Sequence, residues 1–125
     1  MKLLIALLAL IPSLALAQTC ATGQSGVAPT ATLTFTAPTQ NTDGSAIKTP
    51  LTYNLYQGTS PSTLTKVSSG LTGSPIAVST GLASATTVYF ALTVVDANGT
   101  ESVQSNAVCK SFPKSTPDTI TITIT

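Results

Sequence analysis

Histidine and tryptophan are absent from this 125-residue chain, arginine is too, and charge of either sign is scarce. Five lysines face four acids, so no surface can be strongly basic or acidic. Without histidine a Ser-His-Asp arrangement cannot form, and four acids leave few ligands for a metal. Asp43 and Asp96 lie in separate turn sequences and read as turn-capping residues. The segment from Asp96 to Glu101 (DANGTE) is too short for a calcium loop and lacks its closing bidentate acid. Nucleic acid needs clustered Lys or Arg, whereas Lys48, Lys66, Lys110 and Lys114 are scattered. The chain reads as a non-enzyme, with no cofactor, no metal and no nucleic-acid partner expected.

What is present begins with an export signal. Lys2 precedes the apolar run Leu3–Ile11, and Ala15-Leu16-Ala17 is a small-x-small cleavage site. The run is short for a membrane span, so residues 1–17 read as a secretory signal peptide, with no membrane insertion after cleavage. Gln18 would then begin a mature chain in which Thr and Ser make up roughly a third of the residues. Its four lysines and four acids cancel, and a surface without net charge lacks the repulsion that keeps monomers apart. The localisation implied is the periplasm, the extracellular space or a cell or particle surface.

The mature sequence alternates in period two and shows no helical periodicity. Residues 18–28 form a polar lead-in with one short edge strand around Val27. Ala31–Ala37 predicts a half-buried strand with Leu33 and Phe35 inward. Leu51–Gln57 predicts a strand with Tyr53 and Leu55 on one face and Tyr56 on the other. Shorter strands follow over Leu64–Val67 and Pro75–Thr80, the latter with Ile76 and Val78 on one face. Thr87–Val95 is the longest β-branched and aromatic run, with Phe90, Leu92 and Val94 inward. The turn Asp96-Ala97-Asn98-Gly99 leads to a more polar strand, and Ser105–Cys109 closes the unit with Ala107 and Cys109 on one face. Seven short strands with regular turn signals imply an all-β, antiparallel sandwich. The loops most available to a partner are Thr39–Pro50, Gly70–Ser74 and Asp96–Glu101.

The phrases that join these strands resemble a known family. Thr80–Asn106 resembles the last hairpin of a fibronectin type III domain of the bacterial and phage type, and Tyr53–Ser60 (YNLYQGTS) is similar to the YxVYxGTS segment of the same family. The resemblance covers about Pro29–Val108 and implies an immunoglobulin-like β-sandwich over residues 29–109, a fold that carries no shared chemistry. Two aromatic hallmarks are replaced. Phe35 stands where the family usually has a core tryptophan. Val88 stands at the corner-tyrosine position, with Tyr89 displaced by one, so the usual hydroxyl-to-backbone bond of the corner is expected to be missing.

Cys20 and Cys109 are the only cysteines, and an even count in an exported chain reads as a disulfide. It would clip the lead-in to the last strand and offset the missing corner bond. Residues 110–125 read as a proline-containing linker followed by an extra C-terminal strand. There Ile120, Ile122 and Ile124 alternate with threonines. Such a strand needs a partner for its backbone, either its own sandwich or a neighbour to which it is added. Three functions are compatible with the residues. The first is an exported module acting by protein–protein contact. The second is a structural subunit of a surface or phage assembly joined by C-terminal strand addition or self-assembly. The third, and weakest, is a carbohydrate-binding module, for which Tyr56 and Tyr89 are the outward-facing surface contacts.

Overall fold

Threonine set against a β-branched, leucine or aromatic residue is the repeating unit of this chain, and it suits a pleated surface with one wet and one dry face. The computed structural model describes residues 18–114 and 120–125. The expected signal peptide and residues 115–119, the end of the expected linker and the start of the tail, lie outside the described residues. Among those described there is no helix, and seven strands form two sheets. They are β1 (Ala21–Thr22), β2 (Ala31–Leu33), β3 (Thr52–Gly58), β4 (Thr65–Leu71), β5 (Ile76–Val78), β6 (Thr86–Val95) and β7 (Val108–Phe112). The large sheet runs β1-β7-β6-β3-β4, and the small one pairs β2 with β5.

The long central strands behave as their alternation requires. β3 and β6 pair antiparallel from Thr52 opposite Val95 to Gly58 opposite Tyr89. Directly paired residues share a face, so Tyr53, Leu55, Val88, Phe90, Leu92 and Val94 point into the sandwich. Ala31, Ile76, Val78 and Phe112 meet them from the small sheet and from β7, and Phe90 is the most deeply buried side chain.

The short elements differ from expectation, each for an identifiable reason. β2 was expected to reach Ala37, yet its pairing stops at Leu33. Phe35 is the next residue beyond Leu33 whose main-chain groups face β5. Its amide donates to Ser74 Oγ instead (3.1 Å). The lead-in forms β1 rather than a strand at Val27, and β1 runs parallel to β7 with Ala21 opposite Lys110. Val27 is exposed. β4 continues past Val67 to Leu71.

β7 begins at Val108 rather than Ser105 and continues beyond Cys109 to Phe112. Its register sets Phe90 opposite Val108, Val88 opposite Lys110 and Thr86 opposite Phe112. The inward residues of β7 are therefore Val108, Lys110 and Phe112. Cys109 faces outward beside Tyr89 and is covered by its disulfide to Cys20 (Cα–Cα 4.7 Å). Closing a loop with a sequence separation of 89 stabilises by about 4–5 kcal/mol in the chain-entropy model.

The corner before β6 has its own closure. Thr86 Oγ1 donates to the Ala83 carbonyl (2.6 Å), so a threonine supplies a hydroxyl-to-backbone bond where the family resemblance calls for a tyrosine. Gly81 at φ +69° begins the corner, and a Cβ there would press on the Gln57 side-chain amide at 3.0 Å. That amide in turn lies 3.4 Å from the Thr80 carbonyl.

Candidate functional site

A five-stranded sheet is wider than a two-stranded one, at about 4.8 Å per strand. The small sheet therefore leaves part of the large sheet's inner face uncovered. The gap lies beside β2, where Leu33–Thr36 and Pro38 face β6 and the segment Ser102–Asn106 across a groove of about 390 Å³. Its floor contains Phe90, Leu92 and Val94 of β6 and Tyr53 of β3; Val108 of β7 also lines it. Phe35 packs on Tyr53 with ring centroids 4.6 Å apart. The consequence shows in burial. Leu33, Phe35, Leu92 and Val94 point inward but are only half-buried, and Val108 is 42% exposed.

The groove has a polar edge as well as an apolar floor. In an antiparallel pair, alternate residues turn their main-chain groups to opposite edges. The Phe35 amide points toward the β5 side, at Ser74 Oγ. The Thr30 carbonyl points the other way and accepts a hydrogen bond from Lys110 Nζ (2.7 Å). By the same parity, Thr32 and Thr34 direct their amides and carbonyls to the outer edge of β2. No strand among the described residues pairs there.

The opposite wall is irregular because its hydrogen bonds are shared between backbone and serine. Ser102 donates its amide to the Val94 carbonyl (2.9 Å), and its Oγ accepts the Val94 amide (3.0 Å). Ser105 does the same with Leu92, at 2.8 Å and 3.0 Å. Two residues lie between these serines where one lies between their partners, so the segment bulges and Val103 stands out at 88% exposed. The polar strand expected after the turn is thus reduced to the single bridge Val95–Glu101 and two serine clamps.

The three loops expected to be available to a partner share the end of the sandwich onto which the groove opens. The Ala97 amide donates to the Lys48 carbonyl (3.0 Å), joining Asp96–Glu101 to Thr39–Pro50, and Ser74 belongs to the third loop. Asp43 and Asp96 cap their turns. Asp43 Oδ1 accepts the Ser45 amide and hydroxyl (2.9 and 2.6 Å), and these bonds hold its pKa below the usual value. Asp96 Oδ1 accepts the amides of Asn98 and Thr100 (2.9 and 2.8 Å), while Gly99 at φ +83° takes the left-handed position of the turn.

Tyr56 and Tyr89 lie on the outer face of the large sheet, away from the groove, and both are half-buried. Tyr56 belongs to a cluster centred on Glu101, a residue whose role the sequence did not reveal. Glu101 Oε1 accepts hydrogen bonds from Thr93 Oγ1 (2.6 Å), the Tyr56 hydroxyl (2.7 Å) and Asn54 Nδ2 (2.9 Å). Lys66 Nζ reaches Oε2 at 3.2 Å and also lies over the Tyr56 ring, 5.6 Å from its centroid. The bonds from Thr93, Tyr56 and Asn54, then Lys66, hold the Glu101 pKa down to about 2. The Glu101 contact raises that of Lys66. The cluster pins the hairpin after β6 to the sheet.

No protein-family model and no curated protein matches the chain. A solved structure does. The crystal structure of a Fn3-like protein from Clostridium thermocellum superposes with a TM-score of 0.53 at 27% identity, covering 78% of this chain and 96% of that one. The chain carries a fibronectin type III-like domain. Its two-sheet architecture is that of an immunoglobulin-like β-sandwich. Such a fold serves in protein interaction or structure and is typically non-catalytic. The Cys20–Cys109 disulfide is compatible with export, and no helix among the described residues is long and apolar enough to cross a membrane.

Ile120, Ile122 and Ile124 of the tail enter neither sheet of this domain. They are 88%, 81% and 93% exposed.

Proposed function

We propose that the protein is an exported, non-catalytic module that acts by protein–protein contact, and that the contact is made at the groove beside β2. The observation that carries this reading is an unpaired strand edge set above an exposed apolar floor. An extended segment bound there would gain main-chain hydrogen bonds from Thr32 and Thr34. Its alternate side chains would cover Leu33, Phe35, Leu92 and Val94. The Tyr56–Glu101 face offers less. Its polar groups already bond one another, so a ligand there would have to displace them.

Selection of displayed random peptides on the mature oxidised protein tests the reading, with Thr34→Pro as counter-selection because it removes an edge amide and leaves the β2–β5 ladder intact. Enriched peptides should alternate apolar and polar residues and lose binding to Thr34→Pro. Recovery of peptides that bind both proteins equally, or of none, counts against the groove.

A further inference from the structure

We infer that the strand received by this groove is the tail of a second copy of the same chain, with Ile120, Ile122 and Ile124 filling the positions over Leu33, Phe35 and the β6 floor. The inference rests on the groove reading above and names its occupant.

The first support is pattern. Residues 32–36 read Thr-Leu-Thr-Phe-Thr and residues 119–125 read Thr-Ile-Thr-Ile-Thr-Ile-Thr. Laid side by side with apolar residues inward, the two segments put isoleucine beside Leu33 and Phe35. They put threonine beside Thr32, Thr34 and Thr36 on the wet face, where Thr–Thr cross-strand pairs are favourable. Neither segment contains a charged side chain, so docking desolvates none. The lengths agree as well. The groove edge from Thr32 to Pro38 and the tail from Thr119 to Thr125 each hold seven residues, about 20 Å of extended strand.

The second support is the state of the tail on its own chain. Three isoleucines more than four-fifths exposed, in a described segment outside both sheets, are apolar surface without cover. Direction explains why the tail leaves its own groove empty. β7 descends from the Phe90 level to the Thr86 level, while β2 ascends from Lys110 toward Tyr53. A tail re-entering its own sandwich from Phe112 would climb beside β2 in parallel. Antiparallel entry would require the chain to start from the Pro38 end. Seven linker residues span at most about 28 Å between Phe112 and Ile120. The climb from the Thr86 level to the Val94 level is about 27 Å, and with about 10 Å of crossing at right angles the straight line is about 29 Å, which leaves even a fully extended linker no slack. A tail from another copy has no such tether and can add antiparallel, the more stable ladder.

The test uses the full mature oxidised chain and two kinds of variant. One carries Ile120→Asp, Ile122→Asp and Ile124→Asp, which spoils the tail and keeps the groove. The other is Thr34→Pro, which spoils the groove edge and keeps the tail; Val108→Lys is a second groove variant should Thr34→Pro fail to fold. Solution mass is read by light scattering over a concentration series, with circular dichroism to confirm folding. The unmodified chain should associate, and each variant should shift the midpoint of association by at least about tenfold. A mixture of tail variant and groove variant should recover a one-to-one complex, since one supplies the groove and the other the tail. A monomeric unmodified chain overturns the inference. So does association unaffected by the variants, or a mixture that fails to complement. If the peptide selection still yields alternating peptides sensitive to Thr34→Pro, the groove reading stands and only its occupant is wrong. If both experiments fail, both readings fall.

Discussion

The two ends of this sandwich are built to different standards. At the end where β6 begins, Phe112, Val88, Ala31 and Val78 are all at least nine-tenths buried, and the Thr86–Ala83 bond closes the corner. Lys110 ties the two sheets together there, and the disulfide fastens the lead-in to β7. At the end where β6 finishes, inward-facing Leu33, Phe35, Leu92 and Val94 are half-exposed, and serine hydroxyls take over from a regular strand. One end is closed by covalent and core contacts; the other presents apolar surface that its own chain does not cover. The difference separates stability from availability. The fold can leave one end open because the other holds it.

The largest test of that contrast is a pair of truncations. Phe112→Ala removes a buried ring from the closed end and should cost about 3–5 kcal/mol, whereas Leu33→Ala at the open end should cost about 1–2. Urea unfolding at constant slope measures both. Equal losses would show that the groove is closed in solution. Replacing Cys20 and Cys109 together by serine should cost about 2–4 kcal/mol by the same measurement, with the groove-dependent association retained in whatever fraction stays folded. A smaller effect of opposite sign is expected at the corner. Ala85 holds φ +61°, a left-handed position unfavourable to a residue with a Cβ, so Ala85→Gly should raise stability by about 0.5–1 kcal/mol.

The pH dependence sharpens the contrast on the outer face. The Glu101 carboxylate is held down to about pKa 2, below its ordinary value near 4.5. Its contribution is therefore complete above pH about 4.5 and is lost as pH falls toward 2. Thermal melts from neutral pH downward should show the transition temperature falling in that window. Glu101→Gln should start lower and flatten the slope. A slope unchanged by the substitution would assign acid sensitivity to other carboxylates.

Strand existence and inward faces were legible wherever the period-two pattern was long. Thr87–Val95 and Leu51–Gln57 were expected within a residue or so of β6 and β3, because β-branched and aromatic residues leave little choice over that length. The pairing of Cys20 with Cys109 followed from the count alone. The edges were less legible. β2 stops where a serine hydroxyl takes the Phe35 amide in place of a backbone carbonyl, and β7 slides to Val108–Phe112 because its register is set by β6 rather than by its own composition. The groove was not legible. Its existence depends on five strands facing two, a fact of topology that no local pattern carries. Glu101 was hidden for a related reason. Its partners Asn54, Tyr56 and Lys66 lie 47, 45 and 35 residues away in sequence.

Lys110 sets how far this edge can be used. Its ammonium occupies the Thr30 carbonyl, the outward acceptor just before β2. An incoming strand can pair from Thr32 onward but cannot run past that point without displacing a charge held at 2.7 Å. Here an inward-facing lysine gives the open edge a fixed length, so that a strand laid along it has a defined stopping point.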